Sequence, residues 1–395
     1  MREKFHHLDY KILIPYLLLT IFGIIMVYSA SSDILLVNNF KPSTYGIRQA
    51  IYAIVALLLF AVPTFALKLA LFRNKKFVAL GIGLAVFLLV VLLIRKLVMG
   101  EAAEINGAAG WIDLGFIKIQ PLELAKLALV IYLAYYLDRH DGRLRKGQII
   151  QNLSRPAVMA MVVIFLVVLE PDFGGAAILA MIVIVMFSVS GVPAKTALTW
   201  LIAIGLGVFI LSFIVIQWNP KFLHDHYQYQ RFLSFLHPFE LQQKGGAQLV
   251  NSYYAIHNGG LFGVGLGNSM QKRGYLPEPY TDFILAVIAE EIGVLGALVV
   301  IGLLFYLIWQ IMEVGLHASS QFNALVCFGV ATIIFTQALF NIGAVLGLLP
   351  ITGVTLPFIS YGGSSLIVLS MAIGLVLNIA ANERVKQEEV KANEY

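Results

Sequence analysis

The sequence predicts an all-α polytopic membrane protein with ten transmembrane helices. The chain has 395 residues, of which 59% are hydrophobic and only 12% are charged, whereas soluble globular domains contain about 25% charged residues. Its mean hydropathy is +0.86. Intrinsic disorder is excluded, because disordered chains are poor in aromatic residues and this chain has 26 Phe and 17 Tyr. A helical membrane protein is the class that remains.

Ten apolar runs supply the predicted spans, since crossing a bilayer takes roughly 20 mostly apolar residues. The runs are 12–31, 48–67, 77–97, 121–137, 157–171, 173–191, 195–217, 282–312, 322–346 and 363–382. The first run is too long for the apolar region of a cleaved signal peptide and is interpreted as an uncleaved anchor. The chain is predicted to form a single transmembrane domain over residues 1–395.

The orientation follows from the Lys and Arg residues, which concentrate in loops that stay inside. With the N-terminus inside, the inner segments carry Arg2, Lys4, Lys11, Lys68, Arg73, Lys75, Lys76, Arg139, Arg143, Arg145, Lys146 and Arg155. Both termini are therefore predicted to be cytoplasmic, with a short tail over 383–395. The net charge of +5 is dispersed between apolar runs and forms no continuous basic face, so no nucleic-acid partner is expected.

A large extracellular loop is predicted between helices seven and eight, over residues 218–281. It is too long to be a simple connection. Its segment YQRFLSFLHPF at 229–239 has the aromatic and leucine content of a helix lying at a membrane interface. The glycine-rich segment GGLFGVGLGNSM at 259–270 is interpreted as a loop that dips back and packs closely against neighbouring helices.

The few carboxylates of this apolar chain gather at the predicted outer boundary. They are Glu123 with Lys126 nearby, Glu170 and Asp172 in EPDFGG, and Glu278 and Asp282 in YLPEPYTDF, with Glu290 and Glu291 two turns deeper. Ionisable residues in or beside membrane spans are costly and usually functional. Three separate spans thus place acidic groups at one depth, on the side of the large loop, which predicts a functional site there.

Each of these groups also has a structural interpretation. Glu123 and Lys126 are three residues apart and could pair on one helix face. Asp172 could cap a helix N-terminus, and Asp282 could complement a helix macrodipole, which would lower its pKa. Glu290 and Glu291 lie within a span, where one of them could face the bundle and bond to a polar partner.

Carboxylates with one lysine suit a general base acting on a hydroxyl. They could also hold a divalent cation, Mg or Mn, against phosphate oxygens, and Asp282, Asp172 and Glu123 are the candidate metal ligands. No cofactor is firmly predicted. No His/Cys cluster has zinc-site spacing, and His224 with His226 is a weak metal candidate. Ser360, Ser364 and Ser365 have no histidine nearby in sequence and are interpreted as residues at the start of a helix, near the lipid headgroups.

Several motifs resemble one known family over nearly the whole chain. They are MVYSAS at 26–31, NGAAGWIDLG at 106–115, QPLELAK at 120–126, EPDFGGA at 170–176, GGLFGVGLGNSMQKRGYLPEPYTDFILAVIAEEIG at 259–293 and NIGAVLGLLPITGVTLPFISYGGSS at 341–365. In this order they are similar to the SEDS proteins (shape, elongation, division and sporulation), the polytopic peptidoglycan glycosyltransferases typified by FtsW and RodA. Three departures are that Gly110 precedes Trp111 where the family commonly has a basic residue, that Glu170 replaces a usual glutamine, and that Leu122 replaces a usual small residue.

The resemblance implies ten transmembrane helices with both ends cytoplasmic, in a multi-pass protein of the bacterial cytoplasmic membrane. It implies polymerisation of lipid II, the undecaprenyl diphosphate-linked disaccharide-pentapeptide, by β-1,4 bonds at the outer face. The essential aspartate of the family's Leu-Pro-Glu-x-x-Thr-Asp-Phe segment matches Asp282, and Glu278 lies in the same segment. Glu123, Lys126 and Asp172 match further important positions, as substrate-binding or catalytic support.

The residues of these motifs are more similar to the septal, cell-division branch typified by FtsW than to the elongation branch typified by RodA. The implied partners are a class B penicillin-binding protein, which crosslinks the new strand, and other divisome proteins. Two interpretations of another kind stay open. A lipid II flippase would explain the spans and the lipid partner, and a scaffold that recruits cell-wall enzymes would explain the spans but not the boundary carboxylates.

Overall fold

The chain is almost entirely helical in the residues that the structure, a computed structural model, describes. These are residues 2–99, 110–113, 118–140, 149–192, 227–242 and 245–393, with a few isolated residues between the ranges. Within them, β1 (Ile112–Asp113) and β2 (Lys118–Ile119) form one short antiparallel ladder. The predicted all-α class therefore holds for the described residues, apart from this two-residue ladder.

The helices are numbered in chain order. They are α1 Arg2–His6, α2 Tyr10–Val37, α3 Thr44–Ala66, α4 Leu69–Phe72, α5 Lys75–Met99, α6 Pro121–Asp138, α7 Ile149–Leu169, α8 Phe173–Val189, α9 Tyr227–Leu236, α10 Ala247–Gly259, α11 Ile284–Leu316, α12 Gln321–Val345 and α13 Gly363–Asn393. Six of the described helices are long and apolar enough to cross a membrane, namely α2, α3, α5, α11, α12 and α13. The helices α6, α7 and α8 are shorter or carry more charge.

Nine of the ten predicted spans coincide with a described helix. The fifth, predicted over 157–171, belongs to a helix that begins earlier, at Ile149. The seventh, 195–217, lies almost wholly outside the described residues. The large loop predicted over 218–281 holds two helices in its described part, α9 and α10. The predicted interfacial segment is thus a helix, and its position at a membrane surface stays a prediction.

A break in α11 accommodates the glycine-rich loop. Gly293 has φ 78° and ψ 172° inside the helix, a backbone region open mainly to glycine. The amide of Gly265 donates to the carbonyl of Glu291 at 2.9 Å, and the amide of Val294 donates to the carbonyl of Gly260 at 2.9 Å. The loop therefore satisfies the backbone groups that the break in the helix would leave unpaired, and the prediction of close packing by these glycines is confirmed.

We expect Gly259→Ala to destabilise the protein, because the new methyl group would lie 2.0 Å from the carbonyl oxygen of Ala289 in α11. The neighbouring atoms belong to the backbone and cannot move aside, so overpacking is expected to lower the free energy of unfolding by about 1–3 kcal/mol. SDS titration of the protein in mixed micelles measures the change. Gly302→Ala is the matched control, since nothing lies within 4 Å of its added carbon. Equal stability of the two variants would contradict this packing.

The two glutamates deep in α11 fasten the same loop. The Glu290 carboxylate accepts from the Ser269 hydroxyl and from the backbone amides of Met270 at 3.1 Å and Gln271 at 3.2 Å. The Glu291 carboxylate pairs with Lys272 Nζ at 2.9 Å, and both side chains are fully buried. Ser29 of α2 donates to Glu291 at 2.7 Å. The sequence predicted a polar partner for one glutamate, whereas Glu290 has four such partners and Glu291 has two.

Candidate active site

Asp282 lies just outside α11, in a segment held by two other parts of the chain. Asn341, near the end of α12, donates from Nδ2 to the carbonyl of Asp282 at 2.8 Å and to that of Val354 at 2.9 Å. The hydroxyl of Ser360 donates to the carbonyl of Thr281 at 2.7 Å and accepts from the amide of Leu356 at 2.8 Å. These bonds fix the backbone on both sides of the Asp282 carboxylate.

This geometry corrects the interpretation of Ser360, whereas Ser364 lies at the start of a helix as predicted. Ser360 is buried and orders the segment that carries Asp282, so it is not a headgroup residue. The hydroxyl of Ser364 accepts from the amide of Gln120 at 3.3 Å, which joins the start of α13 to the start of α6. Neither contact was visible in the sequence, because both serines lie in the run PFISYGGSS, which has no catalytic partner close in sequence.

Glu278 shapes the turn before Asp282. Its φ is +52°, a left-handed conformation that is uncommon outside glycine and that persists only where the surroundings enforce it. The turn is closed by the amide of Thr281, which donates to the carbonyl of Glu278 at 3.2 Å, and by the Thr281 hydroxyl, which donates to the Glu278 carboxylate at 3.1 Å. Glu278 therefore closes the turn that precedes Asp282, and its negative charge acts on the Asp282 carboxylate.

Arg231 of α9 brings a cation to the Asp282 carboxylate. Its Nη1 donates to the carbonyl of Ile351 at 3.4 Å. A Cβ placed on Gly353 would lie 3.3 Å from Arg231 Nη1 and 3.7 Å from Asp282 Oδ2, so both charged groups face the same small space above that glycine. The sequence showed Arg231 only as the basic residue of a predicted interfacial helix. Nothing in the chain order linked α9 to Asp282.

The pKa of Asp282 is raised to about 6, mainly because burial disfavours its charged form. The Arg231 cation opposes this rise, and the negative charge of Glu278 adds to it. The expectation that a helix N-terminus lowers the pKa of Asp282 is wrong. The macrodipole contributes at most about 1 kcal/mol at ordinary sites, less than the cost of removing a carboxylate from water.

Glu123 and Lys126 form the predicted pair at the start of α6. Lys126 Nζ lies 2.8 Å from Glu123 Oε2, and the two side chains are only 1% and 6% exposed. Pro121 occupies the first turn of this helix, a position at which its missing N–H costs nothing. The helix therefore begins immediately before the pair and presents it at the end of the bundle.

Asp172 connects this pair to Arg231. It caps α8 as predicted, because its Oδ1 accepts from the amide of Gly175 at 2.7 Å. Burial raises the pKa of Asp172; the cations of Lys126 and Arg231 counteract the rise, and the negative charge of Glu123 reinforces it. The Arg231 cation thus acts on the carboxylates of both Asp172 and Asp282, and Asp172 is coupled in turn to the Glu123–Lys126 pair.

Three tyrosines pack together beside Glu278, whose charge is coupled to one of them, Tyr280. The rings of Tyr45 and Tyr361 stack with centroids 4.9 Å apart, and Tyr45 meets Tyr280 edge to face at 5.0 Å. The amide of Tyr361 donates to the carbonyl of Tyr280 at 2.9 Å. All three are half-buried, so apolar ring faces and hydroxyl groups border the site together.

The candidate metal ligands do not fit a shared metal ion. In the described part of the chain, no three His, Cys, Asp or Glu side chains come together in a way that could hold one. The Glu123 carboxylate is paired with Lys126, one Asp172 oxygen accepts a backbone amide, and Asp282 faces Arg231. The cations that face these carboxylates are the side chains of Lys126 and Arg231.

Comparison with known proteins places the chain in a family. The family model for FtsW, RodA and SpoVE, described as “Cell cycle protein”, matches residues 10–385. The chain belongs to this family. It is 36% identical to “Probable peptidoglycan glycosyltransferase FtsW” of Lactococcus lactis, over all of this chain and 97% of that protein. It is 37% identical to the protein of the same name in Bacillus subtilis, over 99% of this chain and 95% of that one.

Solved structures of SEDS proteins share the fold. A chain of a peptidoglycan synthase complex, reported as structurally coordinating polymerization and crosslinking, aligns with a TM-score of 0.75 at 30% identity, over 95% of this chain and 98% of that one. The rod shape determining protein RodA of Thermus thermophilus aligns with a TM-score of 0.64 at 27% identity, over 95% of this chain and 97% of that one. The family assignment made from the motifs is confirmed, and the chain is a multi-pass membrane protein.

Proposed function

We infer that the chain is a peptidoglycan glycosyltransferase, and we propose that it polymerises lipid II into β-1,4 glycan strands at the outer face of the bacterial cytoplasmic membrane. The observation that carries the proposal is the meeting of a half-buried carboxylate, Asp282, with the Arg231 guanidinium above Gly353. A base beside a fixed cation suits a reaction that removes a proton and expels an anionic leaving group. The names of the family relatives support the same activity.

In the proposed mechanism Asp282 is the general base. The 4-hydroxyl oxygen of the acceptor sugar forms a bond to C1 of the donor sugar as the bond from C1 to the diphosphate oxygen breaks. Asp282 takes the hydroxyl proton, and the electron pair of the breaking bond leaves with the diphosphate. Because the donor is α-linked, attack from the opposite face gives the β product, so the transfer inverts the configuration.

The leaving diphosphate requires positive charge, which Arg231 and Lys126 supply. Charge-assisted hydrogen bonds from guanidinium and ammonium groups to phosphate are among the strongest polar contacts in proteins. Asp172 and Glu123 keep both cations in place, through the Glu123–Lys126 contact at 2.8 Å and the electrostatic coupling of Asp172 to both cations. Glu278 supports the turn, and the tyrosine faces near it suit the apolar face of a sugar ring.

The remaining features of the proposal concern the setting of this chemistry. We propose ten spans with both termini in the cytoplasm, since the six long apolar helices and the three shorter helices α6, α7 and α8 leave room for one span in 195–217. The partner is a class B penicillin-binding protein within the division machinery, and the location is the septum. The complex reported for a similar chain supports a synthase partner, and the FtsW name of many relatives supports the septal branch over an elongation role like that of RodA.

Polymerisation of fluorescent lipid II by the purified chain tests the proposal. We expect glycan polymer on a gel that resolves strand lengths, with more product when the cognate penicillin-binding protein is present. Parallel reactions with a chelator and with added Mg²⁺ or Mn²⁺ test whether a divalent cation, bound with the substrate diphosphate, is needed. The absence of polymer from folded protein with its partner would refute the assignment.

The rival function is translocation of lipid II across the bilayer. It predicts movement of labelled lipid II between leaflets of proteoliposomes without polymer formation. The position of Asp282 and Arg231 beyond the end of α11, and not within a membrane-spanning helix, favours chemistry at the surface. Glu290 and Glu291 are the deeper carboxylates, and both are already bonded to the loop at 268–272.

A further inference from the structure

A polar cavity opens at the opposite end of α12 from the proposed active site. Its volume is about 360 Å³. Asn323, which lines the cavity, lies near the start of α12. Asn341, which holds Asp282, lies near the other end of the same helix, about 27 Å from Asn323. The polar side chains that line the cavity are Lys4, Lys68, Arg73, Asn323, Asn382 and Lys386. Nothing in the proposed glycosyl transfer uses them.

The cavity collects four cations from separate parts of the chain. Lys4 comes from α1, Lys68 and Arg73 flank α4, and Lys386 lies in α13. Among the residues that the structure describes, none of these four side chains forms an ion pair with a carboxylate. Like charges gathered at one place repel each other, and an arrangement of this kind gains stability when an anion enters.

Two of the cations are fixed by neutral partners. Lys4 Nζ donates to Asn378 Oδ1 at 2.9 Å and to the carbonyl of Leu67 at 3.3 Å. The Arg73 guanidinium donates to the hydroxyl of Ser320 and lies 4.9 Å from the ring of Phe322, while its buried Nε has no hydrogen-bond partner in the described part of the chain. Burial also lowers the pKa of Lys4, the direction expected of a cation without a compensating charge.

The carboxylate beside the cavity is already engaged. Glu383 accepts from the hydroxyl and the amide of Ser319, both at 3.0 Å, and from Asn323 Nδ2 at 2.7 Å. Its charge is coupled to that of Lys386, whose Nζ donates to the Ser319 hydroxyl at 3.1 Å. The cavity therefore keeps a net positive charge, because Glu383 is the one carboxylate beside it among the described residues and offsets only one of the four cations.

We propose that this cavity is a binding site for a phosphate-bearing anion. Arginine offers phosphate a planar pair of donors, and lysines add point charges around it. The bound anion would join α1, the connection at 67–73 and α13, which Lys4 already links through its hydrogen bonds to Asn378 and to the carbonyl of Leu67. The phosphate group is the shared chemistry of two sources, an anionic phospholipid headgroup and a free inorganic phosphate, and the volume admits either.

Binding to the full-length chain in detergent distinguishes the two sources. One titration uses short-chain dihexanoyl phosphatidylglycerol, with dihexanoyl phosphatidylcholine as the zwitterionic comparison, and a second uses inorganic phosphate. Thermal unfolding reports binding as a saturable rise in melting temperature, because a ligand that binds only the folded state stabilises it. Native mass spectrometry counts the bound molecules. Saturation by the anionic lipid alone identifies a headgroup site, and saturation by both identifies a site for the phosphate group itself.

Two sets of variants test the location. Arg73→Gln, and separately Lys68→Gln with Lys386→Gln, are expected to weaken the affinity about tenfold or more, since charged hydrogen bonds to phosphate are lost. Lys68 and Lys386 are exposed, so the paired variant is expected to fold even if Arg73→Gln does not. Lys75→Gln with Lys76→Gln removes the same charge from the neighbouring exposed segment and should keep the wild-type affinity. No saturable response to either probe, or an equal loss in the Lys75 and Lys76 control, would overturn the proposal.

Discussion

Asp282→Asn is expected to reduce lipid II polymerisation by about 10²- to 10⁴-fold, the contribution of a positioned general base. Asparagine has nearly the same shape but cannot accept the proton of the acceptor hydroxyl. The substitution leaves the backbone bonds of Asn341 and Ser360 in place, because they use the carbonyls of Asp282 and Thr281 and not the side chain. Initial rates of polymer formation at saturating lipid II measure the loss.

Asp33→Asn is the matched control for this prediction. Asp33 belongs to α2, and its side chain is 30% exposed. Its carboxylate contacts Arg273 at 3.6 Å and accepts from Ser32 at 3.4 Å, neither of which is a residue of the proposed site. The control should polymerise at the wild-type rate. Photocrosslinkable lipid II should still label the Asp282 variant, which separates loss of chemistry from loss of substrate binding. Wild-type polymerisation by Asp282→Asn would eliminate the proposed base.

The pH profile of the wild type follows from the same group. A general base works in its deprotonated form, and the pKa of Asp282 is raised to about 6. Activity is therefore expected to be full above that pH and to fall about tenfold per pH unit well below it. Because the Arg231 cation lowers the pKa of Asp282, Arg231→Gln should move the fall to higher pH, and Arg231→Lys should largely restore its position. A pH profile that Arg231→Gln leaves unchanged would show that the Arg231 cation does not act on the pKa of Asp282.

Nine of the predicted apolar segments and part of the candidate site were predictable because their signals are local. Apolar length alone located the helices, and Glu123 with Lys126 pair at a spacing of three residues within one helix. Arg231, Asn341 and Ser360 were not identified as site residues, because each reaches Asp282 from a separate part of the chain. Sequence spacing carries no information about such contacts. The pKa of Asp282 was mispredicted for a related reason, since burial depends on all the surrounding elements and a macrodipole depends only on one helix.

The ion pair between Lys272 and Glu291, which lie in separate segments of the chain, also contributes to stability. Its ammonium group is only 1% exposed and forms an ion pair with Glu291, which is fully buried. Lys272→Met keeps most of the side-chain volume but leaves the Glu291 carboxylate with Ser29 as its polar partner. Removing one member of a buried ion pair costs about 3–5 kcal/mol, because the other charge remains out of water. SDS titration in mixed micelles, followed by tryptophan fluorescence, is expected to show a loss of that size.

The neighbouring residue provides the control. Arg273 pairs with Asp33 at 3.6 Å, but its side chain is 53% exposed, and exposed ion pairs contribute at most about 1 kcal/mol. Arg273→Met should therefore be nearly neutral. Adding Glu291→Gln to Lys272→Met should recover part of the lost stability, because a neutral amide is easier to bury than an unpaired carboxylate. Either of two results would show that the buried pair does not fasten the loop at 268–272 to α11. One is that Lys272→Met is no more destabilising than Arg273→Met, and the other is that adding Glu291→Gln to Lys272→Met lowers the stability further.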